Sequence, residues 1–383
     1  MINLAGKDIE HTLGKFLITA IGVGMLLGIV MIMVGVYRGM IVDAKVLIND
    51  IDADLWIVQQ DTLGPFAEAS RIHEDLRDTI RSQDGISAAE AMTFQAIQLF
   101  NAQNQAVRVN LVGYDPFGQI NPINLKRMVD GRDLKKSHYE IVVSQSTGFV
   151  LGDRIKIGRD IYKVVGVTKG TVSSGGDPLV YVSLKDAQKI QFLYSNARIR
   201  NDRARGMNVS GDSHLVNTIV ARVVPGRDIN EIAENIARWK HKSVYTNPQE
   251  VKILTENMIK RASKQIGMFT VILVIVSTVI IALIIYTMTL EKIKEISIMK
   301  LIGIPNWTIV KMIIQETVVL GILAFVSGNL FAHMIYGKFP KRVVLLTEDA
   351  LALFAIIMIA SILASFFGVH KVIKADPTQA IGG

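Results

Sequence analysis

The chain has 383 residues, a formal net charge of +8, no cysteine, 50% hydrophobic residues and a mean hydropathy of +0.35. The missing cysteines exclude disulfides, thiolate metal sites and cysteine nucleophiles. The apolar residues are clumped, which excludes an ordinary soluble globule, and the positive charge forms no patch of the kind that holds nucleic acid.

Four runs carry no charged residue over at least 20 positions: Phe16–Tyr37, Gln265–Leu290, Thr317–Tyr336 and Ala350–Val369. A helix of roughly 20 residues crosses a hydrocarbon core of about 30 Å, and a soluble helix of that length would show a polar stripe. The runs predict four transmembrane helices. The first is longer than a signal-peptide core and is followed by "VYRGMIVDAK", without a small-residue cleavage pattern, so it reads as an uncleaved anchor. Lys7, Lys15, Lys292, Lys294, Lys300, Lys311, Lys371 and Lys374 fall on one side of four alternating spans, against Lys338, Lys341 and Arg342 on the other. That bias predicts cytoplasmic N- and C-termini. Residues 1–42 are then an N-terminal helix and the first span, 43–262 an extracytoplasmic domain, and 263–383 the other three spans, a cytoplasmic segment at 291–311 and the tail.

Past Tyr37 the apolar spacing continues through Met40, Ala44, Leu47 and Ile51, and on the returning side it runs through Val251, Leu254 and Met258. Steps of three and four predict helical seams near the coiled-coil period. A helix over 16–51 would be about 54 Å long, some 24 Å beyond the hydrocarbon core, so both ends of the domain are expected to stand on a helical stalk. Asn247 is the expected N-cap of the returning helix, with Pro248 and Glu250 in its first turn.

Within the domain, strands are expected at 53–60 and 90–100 around a helix at 70–83, then at 214–224 and 243–246 around a helix at 228–240. Between these units, 151–167 alternates and turns at Gly158-Arg159-Asp160, and 178–184 reads as a further strand. The fold class is therefore an α-helical membrane protein with a large extracytoplasmic α/β domain, a split α/β lobe carrying an inserted β-rich lobe.

No enzyme motif is present. The Gly-Lys pairs precede Asp8, Phe16 and Phe339, so none ends a phosphate-binding loop, and the seven histidines form no HExxH. Asp50, Asp52 and Asp54 have calcium-loop spacing, but Leu55 and Asp61 stand where the loop needs Gly and Glu, which favours a solvated acidic shoulder. "RIRNDRAR" at 198–205 reads first as a wetted charged face. Ala20, Gly24 and Gly28, and likewise Ala324, Gly328 and Ala332, repeat every four residues, spacing that lets helices approach closely within one chain or between two. Glu316, Asn329 and His333 are the polar groups of the third span, too few to line a watery channel. Glu316 lies about 7.5 Å beyond Lys311 and could be either a functional acid or an interfacial partner of nearby lysines.

The stretch "EKIKEISIMKLIGIPNWTIVKMIIQETVVLG" (291–321) is similar to the segment after the second span in permeases of the MacB/FtsX/LolC class of ABC transporters. Glu291, Glu295, Ile296, Ile298, Met299, Lys300, Ile302, Gly303 and Glu316 match its pattern. "KVIKADPTQAI" resembles the family's C-terminal motif through Lys374, Asp376, Pro377 and Ala380, and "VDGRDL…EIVVSQSTGFVLGD" resembles its extracytoplasmic core. The chain departs from MacB in having no fused ATPase, and Pro305 stands where a small residue is common.

The resemblance implies a bacterial cytoplasmic-membrane permease that relays motion from a separate ABC ATPase to its outer domain, for export or extraction of a substrate. Glu291, Lys292, Glu295, Ile296, Met299, Lys300 and Gly303 would form the ATPase-coupling segment. ATP and Mg would sit on the partner ATPase and no cofactor on this chain. The implied partners are that ATPase, a second permease copy and membrane lipids, with room for a periplasmic adaptor and an outer-membrane exit duct. Lipoprotein release and FtsX-like control of a wall hydrolase are the alternatives.

Overall fold

The computed structural model describes residues 13–101, 104–193, 214–256, 260–339 and 341–374. The chain divides into two compact units, Met40–Arg261 and the combination of Met1–Gly39 with Ala262–Gly383. Helix α1 (Leu13–Asp50) is continuous over 38 residues and is apolar enough to cross a membrane.

The unit at 40–261 is built on one ten-stranded sheet. In chain order its elements begin with β1 (Leu55–Val58), α2 (Gly64–Ala67), β2 (Ile72–His73), α3 (Leu76–Arg81), β3 (Ile86–Phe100) and β4 (Ala106–Tyr114). They continue with β5 (Met128–Gly131), β6 (Glu140–Ser144), β7 (Arg154–Ile157), β8 (Asp160–Thr168), β9 (Leu179–Ser183) and α4 (Leu184–Leu193). The last are β10 (Leu215–Val216), β11 (Thr218–Val223), α5 (Ile229–Lys240), β12 (Ser243–Thr246) and α6 (Asn247–Leu254). The strand order is β12-β1-β11-β3-β4-β9-β6-β8-β5, with β7 paired to β8.

The two lobes share this sheet because β3 is long enough to serve both. Its first half pairs with β11 and its second half with β4. Leu55, Ile57, Ala89, Ile219 and Ile236 form the core of the α/β lobe, while Ile97, Val109, Tyr162, Val180 and Ile190 form that of the β-rich lobe. The hairpin turns through Gly158 at φ +63°, between paired Ile157 and Asp160.

Three local expectations are corrected. The helix expected over 70–83 is only Leu76–Arg81, because Ile72 and His73 bond instead to Val216 and Leu215. The strand expected over 214–224 is split at Asn217, whose side chain serves Phe94 N, Thr93 and Ser70 O. The cap of α6 is Thr246 rather than Asn247, and Gln249 Oε1 accepts from Thr246 N at 2.9 Å. Asn247 instead accepts from Trp56 Nε1 and donates to Ala53 O.

The apolar seams also take a different role. Leu47, Ile51 and Leu254 lie in one buried cluster with Trp56, Met92, Val112 and Tyr181, and Val251 packs against it. They are part of the sheet's core rather than an isolated two-helix seam. Met40 is half-buried, and Met258 lies outside the described residues. The acidic shoulder is not uniformly solvated either. Asp50 is buried and accepts from Arg127 Nε and Asn124, Asp52 is exposed and pairs with Arg222, and Asp54 accepts from Val223 N. Residues 198–205 lie outside the described residues.

The other unit adds α7 (Lys260–Glu291), α8 (Ile293–Leu301), α9 (Asn306–Ile335) and α10 (Thr347–Lys374). Three helices among the described residues, α1, α7 and α9, are long and apolar enough to cross a membrane. With α10 they share a core that runs from Phe16 and Leu27 through Ile285, Ile313 and Leu320 to Ile357.

Candidate functional site: the segment between α7 and α9

Helix α8 closes on itself at Gly303. Gly303 sits at φ +92°, Ile304 N donates to Met299 O at 3.0 Å, and Gly303 N donates to Lys300 O at 3.0 Å. This is the Schellman arrangement, which needs a left-handed residue after the helix and which glycine adopts without a Cβ clash. Pro305 then takes the N-cap position of α9, whose first residue is Asn306.

The segment has two unlike faces. Ile296 and Ser297 are buried, and Met299 packs against the membrane core. Opposite them, Ile298, Leu301, Ile302 and Trp307 are 49%, 52%, 76% and 73% exposed. Glu291, Lys294 and Glu295 are exposed around that apolar ridge, and Lys300 is half-buried.

Glu316 meets Lys292. The ammonium lies 3.4 Å from Oε1 and 3.5 Å from Oε2, with the two side chains 10% and 6% exposed. In a pair so poorly solvated, losing one member deprives the other of a counter-charge that water does not readily replace. The acid of the third span therefore joins α9 to the residue at which α7 gives way to α8. Asn329 and His333 are joined to each other along α9, His333 Nδ1 lying 2.9 Å from Asn329 O.

The two small-residue rows meet each other. Ser327 Oγ donates to Ala20 O at 3.1 Å, and a Cβ on Gly24 would overlap the Ser327 hydroxyl and lie 2.6 Å from Ala324 O. A Cβ on Gly28 would lie 2.9 Å from Gly328 O, and Ala324 and Ala332 are fully buried. These rows thus pack within one chain. Gly24→Val is expected to lower the melting temperature of the full-length protein in detergent, since backbone atoms cannot yield to the added methyls as a side chain can. Gly22→Ala is the control, because nothing lies within 4 Å of its Cβ position.

One buried group had no sequence signal. Glu250 on α6 is 0% exposed, and neither carboxyl oxygen has a hydrogen-bond partner among the described residues. The backbone of Gly64, at φ +72°, presses against it, and a Cβ there would lie 2.5 Å from Oε1. Burial pushes its pKa up to about 8. The sequence places no charge on α2, β1 or β12, the elements packed around α6.

Known proteins place this architecture. The MacB-like periplasmic core domain matches residues 16–239, more than half of the chain, and the FtsX-like permease C-terminal region matches residues 267–377. The uncharacterized ABC transporter permease Rv0072 of Mycobacterium tuberculosis is 23% identical over 100% of both chains. HrtB of Staphylococcus epidermidis, a permease protein provisionally assigned to a hemin transport system, is 20% identical over 100% of this chain and 99% of its own. The periplasmic region of MacB from Actinobacillus actinomycetemcomitans aligns at a TM-score of 0.35 and 14% identity, covering 56% of this chain and 98% of that one. With both halves of the chain matched in order, this membrane protein belongs to the MacB/FtsX-like family of ABC transporter permeases.

Proposed function

We propose that this chain is the permease subunit on which a separate cytoplasmic ATPase acts, and that the ATPase engages the segment 291–311. The supporting observation is the apolar ridge of Ile298, Leu301, Ile302 and Trp307, borne by a helix whose other face is tied to the membrane core through Ile296 and to α9 through Lys292–Glu316. An exposed apolar group framed by charges is what a protein partner covers, and large exposed aromatic residues commonly anchor such contacts. In this reading ATP and Mg are held by the partner and α10 is the fourth span. Both termini are cytoplasmic, the unit at 40–261 lies outside the cytoplasmic membrane, and a second copy of the chain completes the transporter. ATP-driven closure of the ATPase moves the segment, and the helices carry that motion to the outer domain, driving export or extraction of substrate. The breadth of the MacB-like match favours this over control of a wall hydrolase. The hemin assignment of HrtB makes hemin one substrate to try, alongside lipid-anchored clients.

Purification from native membranes in mild detergent tests the reading. The wild-type chain is expected to bring down an ABC ATPase whose hydrolysis it alters. Ile302→Glu and Trp307→Glu are expected to reduce recovery of that subunit at least tenfold while the permease still inserts. Undiminished recovery with both variants would remove the proposed contact.

A further inference from the structure

The connection between α9 and α10, residues 341–346, does not arch away from the bundle. Val344 N donates to Gly35 O at 2.9 Å, part-way along α1. A Cβ on Gly35 would lie 2.6 Å from Val343 Cγ1 and 3.0 Å from Leu345 Cδ2, and one on Gly39 would overlap the carbonyl oxygen of Arg342. Between the two glycines, Arg38 holds both oxygens of Asp349 in the first turn of α10, Nε at 2.9 Å and Nη2 at 2.8 Å. Two kinds of contact therefore meet at one place. The glycines permit backbone-to-backbone docking, and the bidentate pair fixes orientation as a single bond would not.

We propose that residues 341–346 are a strap that binds α1 to α10 as one mechanical body, with Arg38 and Asp349 its positioning residues. Rotating α1 about its axis would turn a neighbouring side chain into the place of Gly35 or Gly39 and drive it into the strap. Further along α1, the Gly24 and Gly28 row already holds it against α9. Helix α7 is held less closely, for 17% of its most apolar stretch is buried, against 44% in α1 and in α9. Displacement of α9 at Glu316 would thus carry α1 with it, and α1 continues unbroken to Asp50. The strap's part in coupling rests on the function proposed above.

The chain contains no cysteine, so paired spin labels can be placed in the full-length protein in lipid nanodiscs. Ile29→Cys with Leu351→Cys reports on α1 against α10, and Ile29→Cys with Ile275→Cys on α1 against α7. Without nucleotide, the first pair is expected to give one narrow distance distribution that broadens at least twofold in Arg38→Ala and in Gly39→Val. Arg38→Asp combined with Asp349→Arg is expected to restore it. With the copurified ATPase and a non-hydrolysable ATP analogue, the first pair is expected to hold its distance while the second shifts. Arg38→Ala is expected to keep ATP hydrolysis within twofold of wild type and to lose the shift. An unchanged first distribution in both single variants overturns the strap, as does a wild-type first pair that moves with nucleotide. The nucleotide-free arm judges the strap by itself, whereas the absence of any nucleotide response at either pair, with the strap intact, sinks the ATPase reading instead.

Discussion

Replacing Glu316 with leucine is expected to destabilise the full-length chain by about 3–5 kcal/mol, and replacing Lys292 with methionine by a similar amount. Each change takes a counter-charge from a side chain that is 10% or 6% exposed, where little water can replace it. The double variant is expected to return to within about 1 kcal/mol of wild type, because two apolar side chains of similar volume avoid the desolvation cost altogether. Reversible unfolding in mixed micelles, run as a double-mutant cycle, reads the coupling directly. Losses that simply add in the double variant would show that the two residues do not stabilise each other. Under the function proposed above, the single variants are expected to keep the ATPase contact yet to transmit less, since α8 would no longer be tied to α9 at Lys292.

The second large effect is on pH dependence. Glu250 holds its proton up to about 8 in the folded chain, against an ordinary value of 4.5. Below pH 4.5 the folded and unfolded states are both protonated at this group, so its contribution to stability is complete. Between 4.5 and about 8 the folded state keeps a proton that the unfolded state releases. Stability therefore falls by about 1.4 kcal/mol per pH unit, and by about 5 kcal/mol over the whole window. Above that window the loss is complete, and α2 is expected to separate from α6 to let water reach the carboxylate. Glu250→Gln removes the titration and should flatten the curve. Fluorescence of Trp56, isolated by Trp239→Phe and Trp307→Phe, follows the unfolding because its indole donates to Asn247 one turn before Glu250 on α6. Parallel pH profiles for wild type and Glu250→Gln would refute the assignment.

The contrast between these two groups shows what a sequence can and cannot carry. Glu316 stands out in the sequence because an acid inside an uncharged run is conspicuous in one dimension. Its partner is not, since Lys292 is one of several lysines on 291–311, and only the fold of α8 back against α9 selects it. Glu250 looks like an ordinary first-turn acid of a well-capped helix, favoured there by the helix dipole. Nothing local reveals that Gly64, far away in the chain, closes over it. Gly35 and Gly39 repeat the four-residue spacing of Gly24 and Gly28, so the signal was present, but their partner is an irregular segment with no periodicity of its own.

Transmembrane runs, the alternation of β7 and β8 and the stop at Gly303 depend on neighbours along the chain, such as an uncharged stretch, a period of two, or a residue that tolerates positive φ. The sequence by itself therefore determined the class of protein, the membrane helices α1, α7 and α9, and the mixed α/β character of the intervening domain. Tertiary structure alone decided that one sheet runs through both lobes, that Leu47, Ile51 and Leu254 belong to its core, that Lys292 answers Glu316, and that the connector to α10 is strapped across α1. Those outcomes depend on which distant groups share a low-dielectric space or a van der Waals contact, and no periodicity in one dimension encodes such a pairing.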